Sequence, residues 1–329
     1  MTLNRPADRP VLVTGAAGFI GAAVCHALLA EGRQVIGVDS LNDYYDPSLK
    51  QHRLSALLKH EAFTFQRLNL ADAAGVKTLF AANRFQLVIH LAAQAGVRYS
   101  LENPAAYIES NIQGFHSVLE ACREHAPAHL VFASSSSVYG NSDKPLFSEG
   151  DNTDTPVSLY AATKKSNEVV GHSYAKLYGI PMTGLRFFTV YGPAGRPDMA
   201  YYNFTRAILA GETIRVFNHG NLERDFTYID DIVSGVSAVA KVPPDEKNPP
   251  YRLLNLGNNA PVKLGFFIET LEQLLGTQAK KEMVDMQPGD VHRTCANIDS
   301  ANELVDYEPS TSLEVGLKKF VDWYQGYAQ

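Results

Sequence analysis

Cysteine is nearly missing from this chain, with three residues (Cys25, Cys122 and Cys295) among 329. Three scattered thiols exclude a disulfide framework and offer no metal-ligand spacing. No metal site is expected, and a reducing, cytoplasmic location is. Long hydrophobic runs are lacking too. None approaches the ~18 apolar residues that a membrane-spanning helix needs. The first ten residues carry charges and two prolines where a secretory signal has an apolar stretch. Neither a signal peptide nor a membrane partner is therefore expected. Basic charge is not in excess either: 29 Lys and Arg face 35 Asp and Glu, a net charge of −6. That balance speaks against nucleic acid as a partner and leaves room only for a local basic pocket, suited to a phosphorylated ligand. There is no internal repeat and no low-complexity tail.

What is present is ordinary globular composition, 45% hydrophobic and 19% charged. The length suits two domains, or one large domain with a lobe. Short apolar runs at 11–13, 34–38, 63–65, 87–89 and 130–132 read as strands without a polar alternate face, the pattern of strands covered on both sides of a parallel sheet. Segments such as 20–31 and 104–124 lie between them and are long enough for crossover helices. Residues Ile20, Val24, Ala27 and Leu28 repeat at helical spacing. The β-α alternation predicts an α/β fold, a doubly wound, mostly parallel (Rossmann) sheet. Later strands are predicted at 182–188, 214–217 and 251–256, and the proline-rich 242–250 reads as a surface loop. Residues 1–190 are expected to form the sheet domain, with part of the later chain crossing back. Residues 191–329 are expected to form mainly a smaller lobe over the carboxyl edge.

Glycines 15, 18 and 21 follow the first strand and open a helix. Small residues there let the backbone turn tightly and approach a pyrophosphate, which the helix N-terminus then receives. A bare glycine-rich turn is the plain alternative. Asp39 ends the second strand, eighteen residues past the last glycine. A carboxylate there suits both ribose hydroxyls of adenosine and repels a 2′-phosphate. Residues 40–42 (Ser-Leu-Asn) contain no arginine to receive such a phosphate. NAD is therefore the expected cofactor. Tyr160 and Lys164 lie four residues apart, one face of a helix. A tyrosine at its usual pKa of ~10 is a poor base, and positive neighbours are needed to favour the phenolate. Such a phenolate takes a hydroxyl proton while hydride leaves the same carbon. Ser134 to Ser137 follow the fifth strand at the edge where open α/β sheets bind ligands. A surface pair and a polar turn are the plain readings of these two features.

Together with longer segments, these motifs resemble the extended short-chain dehydrogenase/reductase family, and within it the nucleotide-sugar epimerases, those acting on UDP-glucuronate in particular. The segments are 42–46 (Asn-Asp-Tyr-Tyr-Asp), 90–100, 160–168, 184–193, 195–200 and 224–232, and the likeness spans essentially the whole chain. The resemblance implies that Gly15, Gly18, Phe19, Ile20 and Gly21 hold the cofactor pyrophosphate. It implies that Asp39 and Asn42 hold the adenosine ribose, that Asn69 and Leu70 flank adenine, and that Leu91, Ala92, Ala93 and Gln94 line the cofactor with Asn111 nearby. Ser135, Tyr160 and Lys164 form the implied catalytic trio, the last two also touching cofactor. Arg224 is implied to meet the diphosphate, Arg215 and Phe217 to border uracil, and Asp290 to join the substrate site. The implied reaction inverts C4 of a UDP-sugar through a transient 4-keto intermediate with return of hydride.

Related dehydratases carry an Asp-Glu pair where this chain has Ser136 and Ser137, and related decarboxylases carry Glu at the position of Ser137. Without acid and base groups there, dehydration and decarboxylation are disfavoured. A uronate carboxylate would be received by Ser136, Ser137 and Thr189, with charge from Arg98 or Arg196. The expected conversion is UDP-glucuronate to UDP-galacturonate. UDP-glucose/UDP-galactose 4-epimerisation, UDP-glucuronate decarboxylation and a non-catalytic dinucleotide-binding role stay as alternatives. A homodimer pairing helices 104–124 and 158–178 is also implied.

Overall fold

The computed structural model describes residues 9–245, 249–286 and 291–328. The first half alternates as the sequence predicts: β1 (Val11–Thr14), α1 (Phe19–Ala30), β2 (Val35–Asp39), α2 (Pro47–Leu57), β3 (Phe63–Arg67), α3 (Ala73–Asn83) and β4 (Leu87–His90). Two short helices, α4 (Tyr99–Glu102) and α5 (Pro104–Tyr107), lead through a π-helical stretch at Ile108–Gln113 into α6 (Gly114–Glu124). Then come β5 (His129–Ser135), α7 (Leu159–Tyr178), β6 (Met182–Phe187), β7 (Thr189–Tyr191), α8 (Ala200–Leu209), β8 (Thr213–Phe217), β9 (Glu223–Tyr228) and α9 (Ile229–Ala240). The remainder is β10 (Tyr251–Leu256), β11 (Pro261–Lys263), α10 (Leu264–Leu275), β12 (Lys280–Val284), α11 (Asp299–Val305) and α12 (Leu313–Tyr327). Among the described residues, no helix is long and apolar enough to cross a membrane.

Seven parallel strands form the main sheet in the order β10-β6-β5-β4-β1-β2-β3. Val11 on β1 pairs with Val35 on one side and Leu87 on the other, so the winding direction reverses between β1 and β4. That reversal opens a crevice at the carboxyl edge, where ligands of such sheets bind. Along β1, Val11 and Val13 pack into one core with α1, α9 and α12, while Leu12 packs into the other with α3 and α6. Two-sided burial is why these strands show no polar alternation.

Chain after residue 190 does cross back: β10 joins the main sheet beside β6, with Tyr251 opposite Met182. The rest of that half builds two small sheets, β11-β9-β7 and β12-β8, of which only 214–217 was legible as a strand. Residues 242–245 and 249–250 have no regular structure, and 246–248 of that loop lie outside the described residues.

Local sequence explains the helix ends. Asp46 accepts from Ser48 N at 2.9 Å with Pro47 in the first turn of α2. Ser158 accepts from Ala161 N at 3.1 Å to start α7, and Gly179 closes it with a left-handed φ of 65°. Residues 104–124, expected as one helix, run continuously but widen into the π stretch. There Asn111 O accepts from Asn167 Nδ2 at 2.7 Å, a side-chain replacement for the displaced ladder bond.

Candidate active site

The glycine loop is shaped for close approach. Gly15 has φ +73°, and a Cβ on it would lie 2.8 Å from Ala92 N. A Cβ on Gly21 would lie 2.0 Å from Gly15 O, so α1 can meet the loop only if residue 21 is glycine. Gly18 caps α1 without any side-chain hydrogen bond. The first amides of the helix therefore face a cavity of about 890 Å³. Gly15, Gly18, Phe19, Ile20 and Gly21 all line it.

Asp39 holds the turn after β2 by accepting from Leu41 N at 2.8 Å and Ala17 N at 3.2 Å. Asn42 follows, its carbonyl and side-chain oxygens accepting from Lys50 Nζ at 2.6 and 2.5 Å. Burial lowers the Lys50 pKa, and the Asp39 carboxylate opposes that shift. Arg67 Nε donates to Ser40 O at 3.2 Å. Residues 40–42 contain no arginine, but the fold brings these two cations to the turn from α2 and β3. Neither carries a local sequence signal. Asn69 and Leu70 line the same end, with Asn69 Nδ2 donating to Glu109 at 2.7 Å.

Leu91, Ala92, Ala93 and Gln94 follow β4 along the cavity, and Ala92 N is fixed by Thr14 Oγ1 at 3.2 Å. Asn111 stands behind Gln94. It does not line the cavity. It is buried, its Oδ1 accepting from Gln94 N at 2.8 Å and its Nδ2 donating to Gln94 O and Thr163 Oγ1 at 3.0 Å each. Both ends of this carboxamide are used on protein partners, so Asn111 pins the loop that lines the site.

Ser135, Tyr160 and Lys164 converge on the cavity from β5 and α7. Burial raises the Tyr160 pKa above its ordinary value. A hydrogen bond from Ser135 and the positive field of Arg196 oppose this, while the negative field of Asp198 adds to it. Burial by itself thus disfavours the phenolate, and the positive neighbours that the sequence calls for have to outweigh it. Lys164 Nζ donates to Ala133 O at 2.8 Å. Burial pushes its pKa down to about 8 against the field of Glu168.

At the sugar-facing end, Ser136 and Ser137 lie in a 3-10 turn, and Ser135 Oγ accepts from Ser137 N at 3.1 Å. Thr189 stands at the start of β7. The guanidinium groups of Arg98 and Arg215 lie 5.1 and 5.4 Å from the ring centre of Phe217, close enough for cation–π attraction. Arg224 Nη1 donates to Glu223 O at 2.9 Å and His292 O at 3.2 Å. Arg196 pairs with Asp198, its Nε donating at 3.0 Å, and Asp198 also accepts from Tyr44 Oη at 3.2 Å. All the residues of this paragraph except Glu223 and His292 line the one cavity. Asp290 lies outside the described residues. Sequence reasoning gave no role to Tyr44, Tyr99 or Asp198, which also line it. Tyr44 and Asp198 belong to the longer motifs, but their meeting is a tertiary event.

Among described cavity residues the carboxylates are Asp39, Asp198 and Glu212. Asp39 holds backbone amides, Asp198 holds Arg196, and Glu212 is 3.0 Å from Arg206. Among the described residues lining the cavity, no free carboxylate stands beside Ser136 and Ser137.

Comparison with known proteins places these features in context. A profile described as the NAD dependent epimerase/dehydratase family matches residues 11–257. Protein CapI of Staphylococcus aureus is 50% identical, covering 96% of this chain and 98% of its own. UDP-glucuronate 4-epimerase 3 of Arabidopsis thaliana is also 50% identical, covering 96% of this chain and 76% of its own. The crystal structure of UDP-glucuronic acid 4-epimerase from Bacillus cereus in complex with UDP-glucuronic acid and NAD superimposes with a TM-score of 0.90 at 34% identity, covering 97% of this chain and 99% of that one.

Proposed function

From the premise that the chain belongs to the NAD dependent epimerase/dehydratase family, we propose that it is a 4-epimerase of UDP-sugars that converts UDP-glucuronate to UDP-galacturonate with NAD held throughout. The observation that carries this reading is the continuity of one cavity. It runs from the glycine cradle, past Ser135, Tyr160 and Lys164, to the Arg98–Phe217–Arg215 group and Arg224.

The residues fit the cofactor. The cradle at Gly15 and Gly21 has no room for a Cβ, and the uncapped α1 terminus suits a pyrophosphate. Asp39 and Asn42 hold the adenosine ribose, Asn69 and Leu70 flank adenine, and residues 91–94 line the far wall. Bound there, NAD supplies a reversible hydride acceptor and a positive ring. Tyr160 takes the C4 hydroxyl proton and later returns it. Ser135 steadies the phenol oxygen, and the Lys164 and Arg196 cations favour its ionised form. Because hydride goes back to the same carbon, no net oxidation results. Inversion requires the keto sugar to present its other face, turning about a diphosphate anchored by Arg224 while Arg215 and Phe217 keep the uracil.

Ser136, Ser137 and Thr189 donate hydrogen bonds to the uronate carboxylate, and Arg98 and Arg196 add positive charge. Among the described residues the carboxylates at this end are paired with arginines, which supports simple hydride return over elimination or loss of carbon dioxide. The division at residue 190, a cytoplasmic location and a homodimer belong to the same reading. Ile108, Val169 and Leu177, exposed on the helices expected to pair, support the last.

Incubating the protein with UDP-glucuronate and following the sugar by NMR tests the function. UDP-galacturonate is the expected product. UDP-xylose would instead make it a decarboxylase, and turnover of UDP-glucose alone a neutral-sugar epimerase.

A further inference from the structure

Arg53 on α2 is buried, yet among the described residues no carboxylate lies within ion-pair distance of it. Its guanidinium is spent on neutral oxygens. Nη1 donates to Ala17 O at 3.1 Å and to Tyr45 Oη at 2.6 Å; Nε donates to Ala194 O at 2.8 Å and Nη2 to Gly195 O at 3.0 Å. Ala17 belongs to the coenzyme loop, between Gly15 and Gly18. Ala194 and Gly195 belong to the segment after β7 that carries Arg196 and Asp198. Burying a cation without a counterion is costly, and an apolar side chain would fill the space more cheaply. What only the planar fork of arginine achieves is to hold three carbonyls from two loops at once.

The loop it holds is also strained. Ala194 has φ +54° without being glycine, a conformation that persists where surroundings over-determine it. Two residues on, Arg196 acts on Tyr160, and its partner Asp198 accepts from Tyr44. Tyr44 lies in the same segment that leads into α2. Residues 44–53 therefore grip residues 194–198 twice, once in the interior and once at the cavity wall.

We propose that Arg53 is a positioning residue that latches the sugar-side loop to the coenzyme loop, so that the coenzyme is not released between the two hydride transfers. The proposal rests on the coenzyme reading above. Its chemical stake is plain. C4 oxidation removes a hydride and a proton from the alcohol, and the second half-reaction returns both. A protein that opened in between would release 4-keto UDP-sugar and NADH in equal amounts and stop until fresh NAD arrived.

The test uses the purified holoprotein with Arg53→Lys, Arg53→Met and Tyr44→Phe. Retained coenzyme is measured after gel filtration by acid release and chromatography. NADH and 4-keto sugar are measured in the ultrafiltrate during turnover of UDP-glucuronate. In Arg53→Lys the ammonium cannot span the four acceptors. Coenzyme loss should quicken at least about tenfold, the scale of losing one charged hydrogen bond, with activity that decays and is restored by added NAD. Tyr44→Phe should show a smaller quickening of the same kind. Wild-type retention in Arg53→Lys, or slowed turnover without leaked NADH, overturns the latch. If both Arg53 variants fail to fold, Tyr44→Phe decides: wild-type retention overturns the proposal. A wild-type protein that holds coenzyme but epimerises no UDP-sugar overturns the proposed function, and the retention comparison then judges the latch alone.

Discussion

Glu168→Leu removes one half of a buried ion pair on the helix that carries Tyr160 and Lys164. Arg186 Nε and Nη2 each donate to the Glu168 carboxylate at 2.8 Å, and Ser134 Oγ donates to it at 2.6 Å. The two side chains are 2% and 3% exposed. After the change, the hydrogen-bond partners left to Arg186 are neutral, Tyr139 Oη at 3.0 Å and Glu149 O at 3.2 Å. Stranding a buried charge in this way costs about 3–5 kcal/mol, a large part of a total stability of about 5–15 kcal/mol. Denaturant midpoints should show that loss for Glu168→Leu and a similar one for Arg186→Met. The double variant should recover much of it, since an apolar pair needs no compensation. Glu168 is also the carboxylate that opposes the fall of the Lys164 pKa, so without it Lys164 titrates below about 8. The alkaline limb of the rate profile should then move to lower pH. Single variants losing under about 1 kcal/mol, or a double variant as unstable as the sum of the singles, would refute the reasoning.

Tyr160→Phe keeps the ring and removes the acid-base group; turnover should fall by about 10²–10⁴ with the melting temperature held, and wild-type turnover would sink the chemistry. Stability should also fall with acid. Burial holds His90 down to about 3 and His129 down to about 4, so between pH 6.5 and those values the unfolded chain binds more protons and gains stability relative to the folded one. At pH 5 each contributes a loss of up to about 2 kcal/mol. Thermal melts at pH 7 and pH 5 check this, and His129→Gln should shrink the difference.

The sheet was legible because its inner strands are buried on both faces, although Thr64, Gln66 and Arg67 on the edge strand β3 are exposed. Val11, Val13, Val35 and Ile89 obey one rule that local sequence states. The glycine loop and Asp39 were legible for a similar reason: steric need at Gly15 and Gly21 leaves few other residues possible. The small sheets were not, because β9 mixes charged Glu223, Arg224 and Asp225 with Phe226, and pairing between positions as distant as Thr213 and Lys280 carries no local period. The hold on Asn111 was not legible either, because its carboxamide meets Gln94 and Thr163 from segments far apart in the chain. Arg53 gave no signal, since a basic residue on a short polar helix ordinarily faces water.

The electrostatics of Tyr160 show what local reading cannot supply. Spacing pairs the phenol with Lys164, four residues along α7. The fold adds Arg196 and Asp198 from beyond β7, with opposite effects on the same proton. Burial raises the pKa of the phenol. The same exclusion of water that raises its pKa strengthens every charge that acts on it. A small change in the Arg196–Asp198 balance therefore moves the Tyr160 proton further than it would on a wet surface. Tyr44, through its bond to Asp198, is part of that balance. The proton on Tyr160 is thus conditional on how the loop at 194–198 is held.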